Sequence, residues 1–283
     1  MRSAVFLVLS LSHHSDGFVS RFPVGLQRCS AHTKSIHLQM KAEEMDVVER
    51  LFANIFGKRE ESPVGLGLGR INPENYPDQY PAIKGVYADP VKGDDRTVTI
   101  FRPLLKQTDL EKRQLKLVYD SKSNGFSAAA FHRGVDKKGP AVIFARTKGG
   151  AVCGGYNPKG FVGLGEYRPG ISAFLFTWPD GDISKPATKL RKVGGAGLAV
   201  IDTPENGPQF GSDGFCARME RDREKMAGSK LGSYYERMPD GTKFIFAAAE
   251  GGVAELTELK AFVGVYAPGE QIPFDDAIPF SIT

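Results

Sequence analysis

The sequence predicts a mainly β (α+β) fold: a two-sheet antiparallel β-sandwich with a few short flanking helices and an N-terminal amphipathic helix. Three observations carry that expectation. Short β-prone runs recur after about residue 97, most of them separated by turn dipeptides and tripeptides rich in Gly, Asp and Asn. The 33 glycines and 18 prolines among 283 residues suit strands and turns better than helical bundles. Few helix-length segments lie between the runs, which disfavours a parallel sheet of βαβ units.

Residues 1–39 read as a targeting presequence or a disordered extension. They hold seven serines and Arg2, Arg21, Arg28 and Lys34 against one acid, Asp16, the profile of an organellar transit peptide, with import into a chloroplast or other organelle the leading expectation. The apolar run at 4–11 is the alternative, a secretory signal. An untargeted extension with translation starting at Met40, giving a cytoplasmic protein, is a third reading. This leader carries three of the four net positive charges, so the rest of the chain is nearly neutral. No basic stripe remains to follow a nucleic acid backbone. No run is long and apolar enough to cross a membrane.

Residues 40–112 combine a helix and a Pro/Gly-rich segment. In 43–57, Val48, Leu51, Phe52, Ile55 and Phe56 fall on one helical face, and Gly57 stops it. Between Ser62 and Pro90, five prolines forbid helix interior and central strand, so an extended ordered loop is expected. The glycines at 65–69 lack the third glycine and the preceding strand of a dinucleotide fingerprint.

Strands are expected at 97–101, 115–119, 141–147, 151–156, 171–178, 197–202, 215–219, 243–249 and 259–266. The runs 141–147 and 151–156, joined by Lys148-Gly149-Gly150, form a hairpin. Ser127 is placed to cap a short helix that turns Phe126 and Phe131 inward. The charged stretch 219–227 reads as a solvated loop or a turn of helix, and the pairs Asp94-Asp95 and Asp275-Asp276 as solvated loop acids.

The chemistry-bearing residues are sparse. Four of five histidines (His13, His14, His32, His37) lie in the leader, leaving His132 alone in the body, so a multi-histidine metal centre is excluded there. No metal and no cofactor is expected. His132 is the candidate general base or redox partner, against the plainer role of bonding a neighbouring loop. Cys153 reads as a buried small hydrophobe, whereas Arg218 near Cys216 favours a depressed thiol pKa. Trp178, before Pro179, reads as a core plug.

Residues 117–120 (Leu-Val-Tyr-Asp), 124–127 (Asn-Gly-Phe-Ser) and Phe131-His132 carry a resemblance. So do Pro140–Thr147, Gly150–Tyr156 (Gly-Ala-Val-Cys-Gly-Gly-Tyr) and Ala173–Phe176, with weaker echoes at Phe210-Gly211 and Gly228-Ser229. Taken together, residues 113–268 resemble the TLDc domain, and 269–283 form a C-terminal tail. The family-motif residues are Gly125, Phe126, Ser127, Phe131, His132, Gly154, Gly155 and Tyr156. The chain departs from the family where Cys153 replaces an aromatic, and where Gly264-Val265-Tyr266 replaces Glu-Val-Trp; 193–208 also exceeds the usual connection.

The resemblance implies a non-enzymatic interaction module linked to oxidative-stress resistance, binding a partner protein or complex; related proteins bind the vacuolar-type ATPase. The competing reading is a thiol-dependent antioxidant enzyme using Cys216 or Cys153 with His132. A lipid- or small-ligand-binding sandwich is a third.

Overall fold

The computed structural model describes residues 72–195, 198–220 and 222–273. The expected helix at 43–57, the leader, the loop up to residue 71 and Asp275-Asp276 lie outside the described residues. No helix among the described residues is long and apolar enough to cross a membrane.

The described residues form eleven strands: β1 (Leu115–Asp120), β2 (Ala141–Thr147), β3 (Val152–Asn157), β4 (Glu166–Pro169), β5 (Phe174–Trp178), β6 (Thr188–Arg191), β7 (Leu198–Asp202), β8 (Gln209–Phe210), β9 (Phe215–Ala217), β10 (Met226–Gly228) and β11 (Val253–Gly264). All pairings between them are antiparallel. They form two layers that share β11. One layer runs β6-β5-β3-β2-β11 with β1 on the far side of β11; the other runs β4-β7-β8-β9-β10-β11. The N-terminal end of β11 pairs β10, and the stretch from Leu256 to Gly264 pairs β2 and β1. Its twelve residues let one strand serve both layers.

Two cores result. Ile143, Ala145, Cys153 and Leu175 of the first layer meet Val200, Phe210, Phe215 and Ala217 of the second. On the opposite face, Val142, Phe144, Val152, Phe174, Phe176 and Trp178 pack against Val98, Phe101, Leu104 and Leu105. The central strands β2, β3 and β5 are therefore covered on both faces. That explains why they read as unbroken apolar runs rather than alternating ones.

The second core corrects one expectation. Residues 97–101 are helical: α1 spans Arg96–Phe101 and a 3-10 turn continues over Arg102–Leu105. Asp95 caps α1, its Oδ1 accepting from the Thr97 and Val98 amides at 2.7 Å each. Val98, Phe101 and Leu105 then share one helical face, which outweighs the β-preference of Thr97, Val98, Thr99 and Ile100. Asp94 and Asp95 are thus not simply solvated. Asp95 caps, and the Asp94 carboxylate, 7% exposed, pairs with buried Arg102 at 2.6 Å.

Residues 243–249 also differ, forming turns instead of a strand. Ile245 and Phe246 are still buried, and the backbone of Ile245 is satisfied by hydroxyls. Ser229 Oγ accepts from the Ile245 amide at 3.2 Å, and Thr177 Oγ1 donates to the Ile245 carbonyl at 2.6 Å. The charged stretch 219–227 ends in a strand, β10, where Ala227 pairs Ala217 and Ala254. Strands β4, β6 and β8 are short and poor in β-branched residues, so their neighbours, not their own composition, define them.

Lys189 on β6 is a further product of this packing. Only 8% of it is exposed; its ammonium donates to the Leu104 carbonyl at 2.7 Å and lies 3.9 Å over the Phe174 ring. Burial, helped by Lys84, depresses its pKa to about 7. The unfolded lysine binds its proton up to about pH 10.4, so between about 7 and 10.4 the unfolded state holds more protons. Stability should therefore rise with pH across that window, and the penalty is fully present below pH 7. A shift of this size corresponds to at most about 4–5 kcal/mol. Urea unfolding of wild type and Lys189→Met at pH 6.5 and 9.5 should show the variant gaining at least about 1 kcal/mol relative to wild type at the lower pH. An identical difference at both pH values would rule out a desolvated amine.

Candidate functional site

The signature residues of the 117–132 segment build a support for one histidine. Two helices follow β1: α2 (Ser121–Asn124) and α3 (Ala128–Val135). Asp120 caps α2, accepting from the Lys122 amide at 2.9 Å, and Ser127 caps α3, accepting from the Ala130 amide at 3.3 Å. Tyr119 Oη donates to the Gly125 carbonyl at 2.7 Å, closing the turn between the helices. The Phe131 ring meets Tyr119 and Phe161 edge-on at 5.4 and 5.2 Å, and all three are buried. Phe126 packs half-buried on the same core. This aromatic set fixes the rotation of α3 and turns His132 toward the loop after β7.

His132 is held at both ring nitrogens. Nε2 lies 3.1 Å from the Thr203 carbonyl and 3.0 Å from the Asn206 carbonyl. Both partners only accept, so Nε2 carries a hydrogen. Nδ1 faces Asp136 Oδ1 at 2.9 Å, one helical turn on, and Asp202 Oδ1 at 3.9 Å. Burial works against the imidazolium, but the Asp136 carboxylate outweighs it and raises the His132 pKa. Among the described residues, none of these contacts involves a sulfur.

Asp202 ends β7 with its side chain fully enclosed. Its Oδ2 accepts from the Val162 and Gly163 amides at 2.6 and 2.9 Å, while its Oδ1 is buried without a hydrogen-bond partner. Burial raises the Asp202 pKa despite those two amides. The 161–163 loop is tied to the end of α3 by the Asp136–Phe161 bridge and by the Lys137 amide, which donates to the Phe161 carbonyl at 2.8 Å. Across the β4–β7 ladder, Glu166 stands opposite Asp202, and Arg168, 4% exposed, donates to the Lys159 carbonyl at 2.9 Å. His132 Nδ1 and one carboxylate oxygen each of Asp136 and Asp202 lie within 4.8 Å of one another, a set able to ligate a metal ion.

The cysteines lie in other surroundings. Both Cys153 and Cys216 are free thiols. Cys153 sits in the core between the layers, and burial pushes its thiol pKa far up. Cys216 on β9 is half-buried, and there too burial raises the pKa, outweighing Arg218. Neither site stabilises a thiolate. The remaining motif residues serve packing: Gly154 and Gly155 let β3 approach its neighbours, and Tyr156 fills the second core, as Trp178 does outside the motif.

Sequence reasoning reached His132 but not its partners. The His-x-x-x-Asp spacing at 132 and 136 was a usable signal, since residues four apart share a helix face. Asp202 gave none, because only the β7–α3 packing brings it alongside.

No curated protein matches the chain. The family model of the TLDc domain matches residues 94–235, half of the sequence, and takes in α1, the aromatic support of His132 and the β2–β3 hairpin. The chain belongs to the TLDc-domain family, whose domain is associated with resistance to oxidative stress.

Proposed function

We propose that this protein is a non-enzymatic TLDc interaction module that supports oxidative-stress resistance by binding a partner protein complex. The observation that carries this reading is the apolar surface at the free edge of the second layer. Among the described residues strand β4 ends that layer, and Leu164, Tyr167 and Ile171 around it are 54%, 56% and 47% exposed. Ile171 and Val193 line one shallow groove with Pro169 and Gly170. An unpaired strand edge with exposed aromatic and aliphatic side chains is suited to pairing with another chain. In related TLDc proteins the partner is the vacuolar-type ATPase, which lies on cytosolic membranes. The presequence reading of 1–39 would instead place the partner inside an organelle.

Affinity capture with tagged full-length protein, run in parallel on organellar and cytosolic extracts, tests the proposal. A discrete complex should be recovered, and Tyr167→Glu with Ile171→Asp should reduce recovery at least about tenfold while unfolding as wild type does. Recovery of no complex from either extract, or equal recovery with the double variant, would refute it.

A further inference from the structure

We propose that His132, Asp136 and Asp202 form a binding site for one divalent transition-metal ion of the zinc–manganese class. Asp202 Oδ1 is the first reason. It is buried, has no hydrogen-bond partner, and faces His132 Nδ1 at 3.9 Å. Oδ2 already accepts two amides, so a proton on the carboxyl would sit on Oδ1, the oxygen that has no hydrogen-bond partner. A cation satisfies this oxygen directly.

The second reason is the orientation of His132. A metal-bound imidazole ordinarily donates its other ring N–H to a carbonyl or carboxylate, which fixes the tautomer. Here Nε2 is committed to the carbonyls of Thr203 and Asn206, and Nδ1 points at the two carboxylates. Metal–ligand bonds of about 2.0–2.2 Å set two ligands on one ion roughly 3–4 Å apart, the scale of the observed 2.9 and 3.9 Å separations.

The third reason is Gly163. Its φ is +68°, and a Cβ there would lie 2.4 Å from Asp136 Oδ2 and 3.4 Å from His132 Nδ1, so glycine keeps the space beside the ligand atoms open. Charge also balances. With imidazolium, Asp136, Asp202, Arg168 and Glu166, the cluster carries a formal −1; exchanging the Nδ1 proton for a divalent cation brings it to zero. One imidazole with two carboxylates suits zinc, manganese or iron, and three protein ligands leave positions for water on the Asp136 side, which is 24% exposed.

The test uses full-length protein, stripped with chelator and titrated with zinc and, separately, manganese by calorimetry and thermal unfolding. Asp202→Asn keeps an oxygen for the Val162 and Gly163 amides but loses the Oδ1 charge; Asp136→Asn changes a partly exposed ligand. Wild type should bind one equivalent more than either variant. Its unfolding midpoint should rise by roughly 5–10 °C at a hundredfold excess over Kd, and affinity for that equivalent should fall at least about tenfold in the variants. Zinc held by the leader histidines would appear equally in all three proteins and cancels. If Asp202→Asn does not fold, Asp136→Asn decides. Identical titrations in wild type and the folded variants, or no rise in midpoint, would show that the cluster holds only a proton or a water.

Discussion

Replacing Arg102 with leucine is expected to destabilise the protein by about 3–5 kcal/mol. Arg102 is 1% exposed, and its guanidinium grips Asp94 through Nε and Nη2 at 2.7 and 2.6 Å. The same group donates to the carbonyls of Leu110 and Arg113 at 2.7 and 3.1 Å. Leucine would strand a nearly buried carboxylate and remove the donors that hold the 106–114 loop beneath the 3-10 turn. The cost comes mainly from the stranded charge, not from the worth of the pair. The double variant Arg102→Leu/Asp94→Asn should therefore recover part of the loss, at least about 1 kcal/mol, in a double-mutant cycle read by urea unfolding. A single-variant loss below about 1 kcal/mol would mean that the loop and Asp94 relax into water, and that Arg102 does not organise this region.

The other large effect is expected at Gly154, in the family-motif hairpin. A Cβ there would lie 2.0 Å from the Ile143 carbonyl oxygen and 2.7 Å from the Phe176 ring. The first clash is with backbone of the adjacent strand, which cannot rotate away, because Gly154 pairs Phe144 on one side and Phe176 on the other. Gly154→Ala should cost about 3 kcal/mol or more, at the upper end of overpacking. Gly228→Ala provides the contrast: it is also a strand residue, yet nothing lies within 4 Å of its added Cβ, so it should shift stability by less than about 1 kcal/mol. Denaturant midpoints for the two variants decide the matter. Equal losses would show that chain stiffness, not interstrand clearance, sets the requirement for glycine.

Much of this architecture was legible from residue order. The Lys-Gly-Gly loop with β-prone runs on both sides specified the β2–β3 hairpin, because turn chemistry and flanking propensity are local. Ser127 capping α3 was legible for the same reason. The segment at 97–101 was misread because β-branched content was weighed above the Asp95 cap and the spacing of Val98, Phe101 and Leu105. Strands such as Gln209–Phe210 left no trace in composition, since two residues gain their ladder from β7 and β9. Residues 243–249 carried strand-like apolarity, but at Ile245 hydroxyls of Ser229 and Thr177 took the backbone partners that a ladder would have supplied.

The site divides in the same way. The sequence by itself determined that one imidazole serves the body of the chain, that it lies on a short capped helix, and that an acid follows four residues on. These are short-range facts of spacing and propensity. Only the tertiary structure decided that Asp202 stands beside them, that its outer oxygen is left without a partner, and that burial disfavours the thiolate at both Cys153 and Cys216. Each of those outcomes depends on which groups are withdrawn from water together. That is set by packing across the two layers, between residues some seventy positions apart.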